Sequence, residues 1–146
     1  MLGKLATWLR LLGFDTLYLP DVDDPELADI ARAENRVLLT RDVELTRRRG
    51  LQFVLVESDH VGEQVRQVFR VLHLTAHEAF SRCAECNVPL EDASVDAVRD
   101  DVPPYVLQTH TRFRRCPQCK RVYWRGTHWA QMLAQIEEIT SRSEEK

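Results

Sequence analysis

The chain has 146 residues, 44% of them hydrophobic and 29% charged, with a formal net charge of −3. That length supports one ordinary core, or a small core plus a stapled module, and the composition is that of a soluble globular protein with no membrane span. The charge is uneven: Thr109 to Trp129 holds six basic and no acidic residues, Phe80 to Gln108 two basic and six acidic, and Met1 to Ala79 ten basic and thirteen acidic.

Leu2, Leu5, Ala6, Leu9 and Leu12 recur at helical spacing, and Gly13 supplies a left-handed stop, which predicts a helix over residues 2 to 12. Lys4 and Arg10 lie inside this apolar pattern and no small-residue cleavage site follows, so the segment is no signal peptide and a cytoplasmic location is expected. Phe14 to Leu19, rich in aromatic and aliphatic side chains, reads as a short strand before Pro20. Asp24 before Pro25 signals a helix start, with Leu27, Ile30 and Ala31 on one face and Asn35 at the far end.

Val37-Leu38-Leu39 is an unbroken apolar run, as in a strand covered on both faces, and it stops just before Asp42 and Glu44. Ligand crevices of open α/β sheets lie beyond the carboxyl ends of their strands. An Asp there serves either such chemistry or a turn or helix cap, and both readings stand at this point. A short helix over Val43 to Arg49 closed by Gly50, a strand over Leu51 to Val56, and a helix capped by Ser58 or Asp59 with Val61, Val65, Val68, Phe69 and Leu72 on its stripe complete an alternation that predicts a mainly parallel sheet.

From about Phe80 the pattern changes. Cys83-Ala84-Glu85-Cys86 and Cys116-Pro117-Gln118-Cys119 hold all four cysteines, and two such knuckles complete a tetrahedral zinc site. The alternatives are two disulfides or a redox dithiol. The 29-residue spacer leaves room for a short helix or loop over Glu91 to Asp101. Phe113 to Arg115 and Arg121 to Trp124 form a hairpin around the second knuckle. Arg112, Arg114, Arg115, Lys120, Arg121 and Arg125, interleaved with Phe113, Tyr123 and Trp124, make the cation and ring arrangement that single-stranded nucleic acid favours. The competing reading is a solvated ribbon whose aromatics fill a small core. With four cysteines present, His110 and His128 read as structural or surface residues. Trp129, Met132, Leu133, Ile136 and Ile139 predict a closing amphipathic helix before a frayed tail.

The stretches Leu2-Gly3-Lys4-Leu5-Ala6, Trp8-Leu9-Arg10-Leu11-Leu12-Gly13-Phe14-Asp15-Thr16, Leu38-Leu39-Thr40-Arg41-Asp42, Arg82-Cys83 with Cys86-Asn87, Cys116-Pro117 with Cys119, and Tyr123-Trp124 with Gly126-Thr127-His128 closely resemble the Mut-seven C-terminal RNase domain family, in order and over nearly the whole chain. The resemblance implies a PIN-like, Rossmann-like α/β/α sandwich over residues 1–79 fused to a zinc ribbon with a closing helix over 80–146. It implies a divalent-metal-dependent ribonuclease whose catalytic carboxylates are Asp24, with Asp23 as the neighbouring alternative, Asp42 and Glu44. Mg²⁺ or Mn²⁺ suits such oxygen ligands and can activate a water against a phosphodiester. Related sequences begin with a strand ending in Asp before the segment matching Met1-Leu2-Gly3. An upstream segment or a second copy of the chain is therefore expected to complete the sheet, and this form is expected to be a weak nuclease. Lys120 also stands where Gly often follows the knuckle. A non-catalytic nucleic-acid-binding module is the main alternative, and a protein-docking ribbon the third.

Overall fold

Leu5, Leu9 and Leu12 fall on one side of the first helix, α1 (Gly3–Leu11), and that spacing decides what the helix packs against. The protein is described from a computed structural model covering residues 2–74, 81–126, 130, 131 and 134. The closing-helix positions Trp129, Met132, Leu133, Ile136 and Ile139, the tail, and His128 lie outside the described residues. In chain order α1 is followed by α2 (Asp24–Ala33), β1 (Val37–Thr40), α3 (Val43–Thr46), β2 (Gln52–Leu55), α4 (Val61–Leu72), β3 (Glu91–Ala93), α5 (Val95–Val98), α6 (Pro104–Thr109), β4 (Phe113–Arg115) and β5 (Val122–Tyr123). No helix among the described residues is long and apolar enough to cross a membrane.

The larger core joins α1 directly to α4 beside the small sheet. Leu5, Leu9 and Leu12 meet Val65, Val68 and Phe69, with Val56 beyond β2 and Leu39 of β1 against them. Phe14 closes the cluster edge-on to Phe69, with ring centroids 5.6 Å apart. Each such side chain, once fully buried, contributes about 1.5–3 kcal/mol of transfer free energy. Helix α1 ends where Gly13, at φ 101°, turns the chain and the Phe14 N–H donates to the carbonyl of Leu9 at 2.9 Å. Helix α4 ends similarly, with His73 left-handed and the Leu74 N–H donating to the Phe69 carbonyl at 2.9 Å.

Strands β1 and β2 pair in parallel, Val37 opposite Gln52 through Thr40 opposite Leu55. The mixed α/β character and the parallel pairing agree with the strand and helix alternation of the sequence. Phe14 to Leu19 differs, for it runs outside any strand. At its middle, side chains take the place of a ladder: Thr16 N–H donates to Asn87 Oδ1 at 3.0 Å, and Arg10 Nε donates to the Thr16 carbonyl at 2.8 Å. An apolar groove of about 360 Å³ is lined by Thr16 to Leu19 of this segment, by Leu27 and Ile30 of α2, and by Val37 to Leu39 of β1, with no β2 residue on its walls.

The second sheet is antiparallel, in the order β3-β4-β5. The hairpin β4–β5 is the one the sequence predicts, but β3 falls in the spacer read as helix or loop. Glu91-Asp92-Ala93 lacks every usual strand former, and it is held by charge: Glu91 lies opposite Arg115 and Asp92 opposite Arg114. Beneath this sheet Val98, Val102, Val106 and Phe113 form a small core, with Trp124 packed on Phe113 at 6.5 Å between centroids. The two parts are not separate bodies in space. Leu11 of α1, 9% exposed, packs against Ala84, Leu90 and Tyr123.

Leu12, fully buried at 0% exposure, and Val71, 45% exposed on α4, give a direct check on the position of the core. Leu12→Ala should destabilise the fold by about 2–5 kcal/mol in a urea titration, whereas Val71→Ala should stay within about 0.5 kcal/mol. Equal effects would contradict the assigned burial.

Candidate metal centre and the acidic edge

Each Cys-x-x-Cys turn carries its first cysteine fully buried, Cys83 and Cys116 at 0% exposure, and brings its second back toward it. The turns close locally. Asn87 N–H donates to the Cys83 carbonyl at 2.9 Å and Lys120 N–H to the Cys116 carbonyl at 3.0 Å, with Asn87 and Lys120 both left-handed at φ 62° and 69°. Lys120 therefore sits at a backbone position where Gly is the easier residue, at a conformational cost of about 1–2 kcal/mol. The four Sγ atoms lie within 4.8 Å of one another, with Cys83 and Cys119 3.7 Å apart. A tetrahedral site with Zn–S bonds of ~2.3 Å requires sulfur–sulfur edges of about 3.8 Å, so the donor set and its spacing fit zinc. All four are free thiols.

The surroundings treat the cysteines differently, favouring the thiolate at Cys116 and the protonated thiol at Cys86. Burial works to raise Cys116, yet the N–H groups of Cys119 and Gln118 directed at its sulfur hold it down at about 7. Burial and the neighbouring thiols push Cys86 up to about 12. A bound cation favours deprotonation of all four, which ties metal binding to folding. Tyr123, half-buried, directs its hydroxyl to Cys83 Sγ at 3.2 Å and accepts the Ala84 N–H at 3.0 Å. Burial and the contact with Cys83 push its own ionisation upward. The sequence pointed to Tyr123 as a stacking ring; its place is beside the metal site.

The first knuckle is docked on the α/β part by a set of polar contacts with no counterpart in the sequence reading. Arg10 Nη1 donates to the Ala84 carbonyl at 2.6 Å and to that of Glu85 at 3.4 Å. Asn87 Nδ2 donates to Asp15 Oδ1 at 2.6 Å, and Asp15 Oδ2 accepts from Arg36 Nη2 at 3.2 Å. The bonds from Arg36 and Asn87 hold the Asp15 carboxyl below its ordinary range. No local sequence pattern marks this role, although Asn is among the residues enriched in the left-handed backbone found at position 87.

The predicted carboxylates stand at the other end of β1. Thr40, 7% exposed, ends the strand, and its hydroxyl accepts the Asp42 N–H at 3.0 Å. Asp42 is exposed and caps α3, its Oδ1 accepting the Glu44 N–H at 3.0 Å. Glu44 is paired to Arg47 at 3.2 Å, both largely exposed. Asp23, and not the expected Asp24, caps α2 by accepting the Glu26 N–H at 2.9 Å, because Pro25 occupies the first turn one residue later than a cap at Asp24 would place it. Asp24 is exposed as the first helical residue. Among the described residues the four cysteines are the one group of three or more acidic, Cys or His residues close enough to share an ion, so Asp24, Asp42 and Glu44 do not converge as the cysteines do.

The basic residues also divide. Arg115 is paired to Asp101 and donates to the Ala97 carbonyl at 3.3 Å, while Arg114 Nε lies 3.4 Å from Asp92 Oδ1. Arg112, Lys120, Arg121 and Arg125 are exposed. Arg112, Arg114, Trp124 and Arg125 line a polar hollow of about 490 Å³ with Thr109 and His110. His110 is structural, as expected, bonded to Thr109 Oγ1 at 2.9 Å and to the Arg125 carbonyl at 2.8 Å.

Protein purified without added metal should contain close to one zinc per chain by elemental analysis. Cys116→Ser should lower that ratio severalfold and make the remaining metal removable by mild chelation, since structural zinc is worth about 10–16 kcal/mol in small modules at neutral pH.

No curated protein and no solved structure matches the chain. The profile of the Mut7-C RNAse domain matches residues 1–136, nearly the whole length, so it takes in both the α/β part and the cysteine centre. On that match the chain belongs to the Mut7-C RNAse domain family.

Proposed function

We propose that this protein is a divalent-metal-dependent ribonuclease of PIN-like architecture, with a zinc ribbon that holds the RNA. Family membership over residues 1–136 carries this reading, because it implies RNA as the substrate. The position of Asp42 supports it: an exposed carboxylate just past the carboxyl end of a parallel strand is where open α/β sheets do their chemistry. Mg²⁺ and Mn²⁺ keep several waters and need only one or two protein carboxylates beside the substrate phosphates. Asp42 and Glu44, two residues apart on one turn, would hold the ion, with Asp24 at the start of α2 as the third carboxylate. Such an ion supplies charge neutralisation at the scissile phosphate and a water activated for attack. Asp42 gives one oxygen to the Glu44 N–H and keeps the other for a ligand. Glu44 would have to leave Arg47, an exposed pair worth well under about 1 kcal/mol.

A second reading, a non-catalytic RNA-binding module, is favoured by one observation: the three carboxylates do not converge on a common point. Labelled single-stranded RNA incubated with Mn²⁺, and in parallel with chelator, separates the two. Cleavage that requires Mn²⁺ and is lost in Asp42→Asn supports the nuclease. Because Asn caps a helix about as well as Asp, that variant should keep its thermal midpoint within a few degrees, isolating the charge from the fold. Binding without cutting at every Mn²⁺ concentration supports the module.

For the ribbon, Arg112 and Arg125 flank the hollow beside Trp124, and among the described residues neither forms an ion pair as Arg114 and Arg115 do. Replacing both by Ala should weaken binding to unrelated single-stranded RNAs alike and reduce the slope of log affinity against log salt by about 1.4, near 0.7 per lost phosphate contact. Arg115→Ala should instead act on stability, because that side chain is committed to Asp101. An unchanged salt slope in the double variant would remove this surface from the RNA path.

A further inference from the structure

We propose that the first cysteine knuckle and the start of β1 form one coupled unit, joined through Asn87, Asp15 and Arg36, so that metal in the cysteine site steadies the strand that leads to Asp42. The contacts run without a gap. Cys86 is followed directly by Asn87, whose left-handed backbone at φ 62° aims its side chain back at the α/β part. Its amide is used at both ends: Oδ1 accepts from Thr16 N–H at 3.0 Å and Nδ2 donates to Asp15 Oδ1 at 2.6 Å. Those partners fix the amide's orientation, since a backbone N–H can only donate and a carboxylate only accept. Asp15 passes the link on to Arg36 at 3.2 Å, and Arg36 is the residue before Val37, the first of β1. Arg36 Nε is in turn braced on Glu34 at 3.1 Å. Arg10 runs alongside, tying the two residues inside the knuckle, Ala84 and Glu85, to the Thr16 carbonyl.

The geometry of the knuckle is set by the sulfur ligands at its ends, so loss of metal frees the groups that hold Thr16, Asp15 and Arg10. Glycine at position 87 would satisfy the left-handed backbone at lower cost and would make neither bond, so the side chain here serves the docking rather than the turn. The opposite end of β1 needs the same steadiness, because Thr40 positions the Asp42 N–H and accepts the Val56 N–H through its carbonyl at 2.7 Å. Coupling between two sites is reciprocal: whatever metal does for β1, the Asn87–Asp15–Arg36 contacts do for metal retention.

The test uses the full zinc-loaded chain and needs no RNA, so it stands or falls independently of the nuclease reading. Two variants, Asn87→Gly and Arg36→Gln, are compared with Arg99→Ala, whose pair with Asp96 lies on the exposed face of α5. Zinc release is followed with a chromogenic chelator, and amide hydrogen exchange is read in zinc-loaded and chelated protein. Both relay variants should release zinc at least about fivefold faster than the parent, the lower end of typical coupling between sites, while Arg99→Ala matches it. Arg36→Gln is the decisive arm, because it changes no residue next to a cysteine. Chelation of the parent should raise exchange at residues 14–16 and 37–40 well above any change at 64–69 of α4. Parent-like zinc release in Arg36→Gln, or unchanged exchange at 37–40 after chelation, would overturn the proposal.

Discussion

Four sulfur atoms within 4.8 Å of one another are the constraint on which the C-terminal half depends. Among the described residues its own core gathers four buried apolar side chains, Val98, Val102, Val106 and Phe113, a small cluster for a module of this kind. Two knuckles placed to share one metal would add a cross-link to that small core. The same turns present Ala84, Glu85 and Asn87 to α1, and Leu11 fills the joint between the two cores. The cysteine module is therefore tied to the α/β part by polar bonds from Arg10 and Asp15 and by the packing of Leu11.

Much of this arrangement was legible in the sequence wherever a pattern repeats or a residue type is chemically narrow. The apolar spacing of α1 and α4, the parallel pairing around Val37 to Leu39, and the convergence of Cys83, Cys86, Cys116 and Cys119 all follow from period or from paired spacing. What escaped had no local pattern. Strand β3 is three residues of Glu, Asp and Ala, and only its basic partners on β4 make it a strand. Phe14 to Leu19 has strand composition, but its amides and carbonyls are claimed by Asn87, Arg10 and Arg36, residues up to about seventy positions away. The docking role of Asn87 is equally non-local.

Charge explains a second difference between sequence and structure. Six basic residues in a row of twenty-one suggest one positive face, yet the acidic segment before them folds back onto it, and Asp92 and Asp101 take up Arg114 and Arg115. What is left is narrower, with Arg112, Lys120, Arg121 and Arg125 exposed. At the acidic edge a similar economy holds. Asp42 and Asp23 each serve as a helix cap, the more common fate of an Asp beside a strand or loop, and an exposed cap keeps a free oxygen. Capping and ligand binding are compatible there in a way they would not be for a buried carboxylate.

The grip of Arg10 on Ala84 spans 74 positions of sequence, and this has a bearing on how the chain is made. Helix α1 is synthesised well before the residues that cover Leu11 and accept its Arg10 bonds, Ala84, Leu90 and Tyr123. Contacts so distant in sequence pay a loop-closure cost before they are rewarded, which places their formation late. Until then Leu11 lacks the cover of Ala84, Leu90 and Tyr123, and Arg10 lacks its bonds to Ala84 and Glu85. The surroundings of α1 are thus complete only when both cysteine turns have been synthesised, so an early helix is finished by residues made long after it.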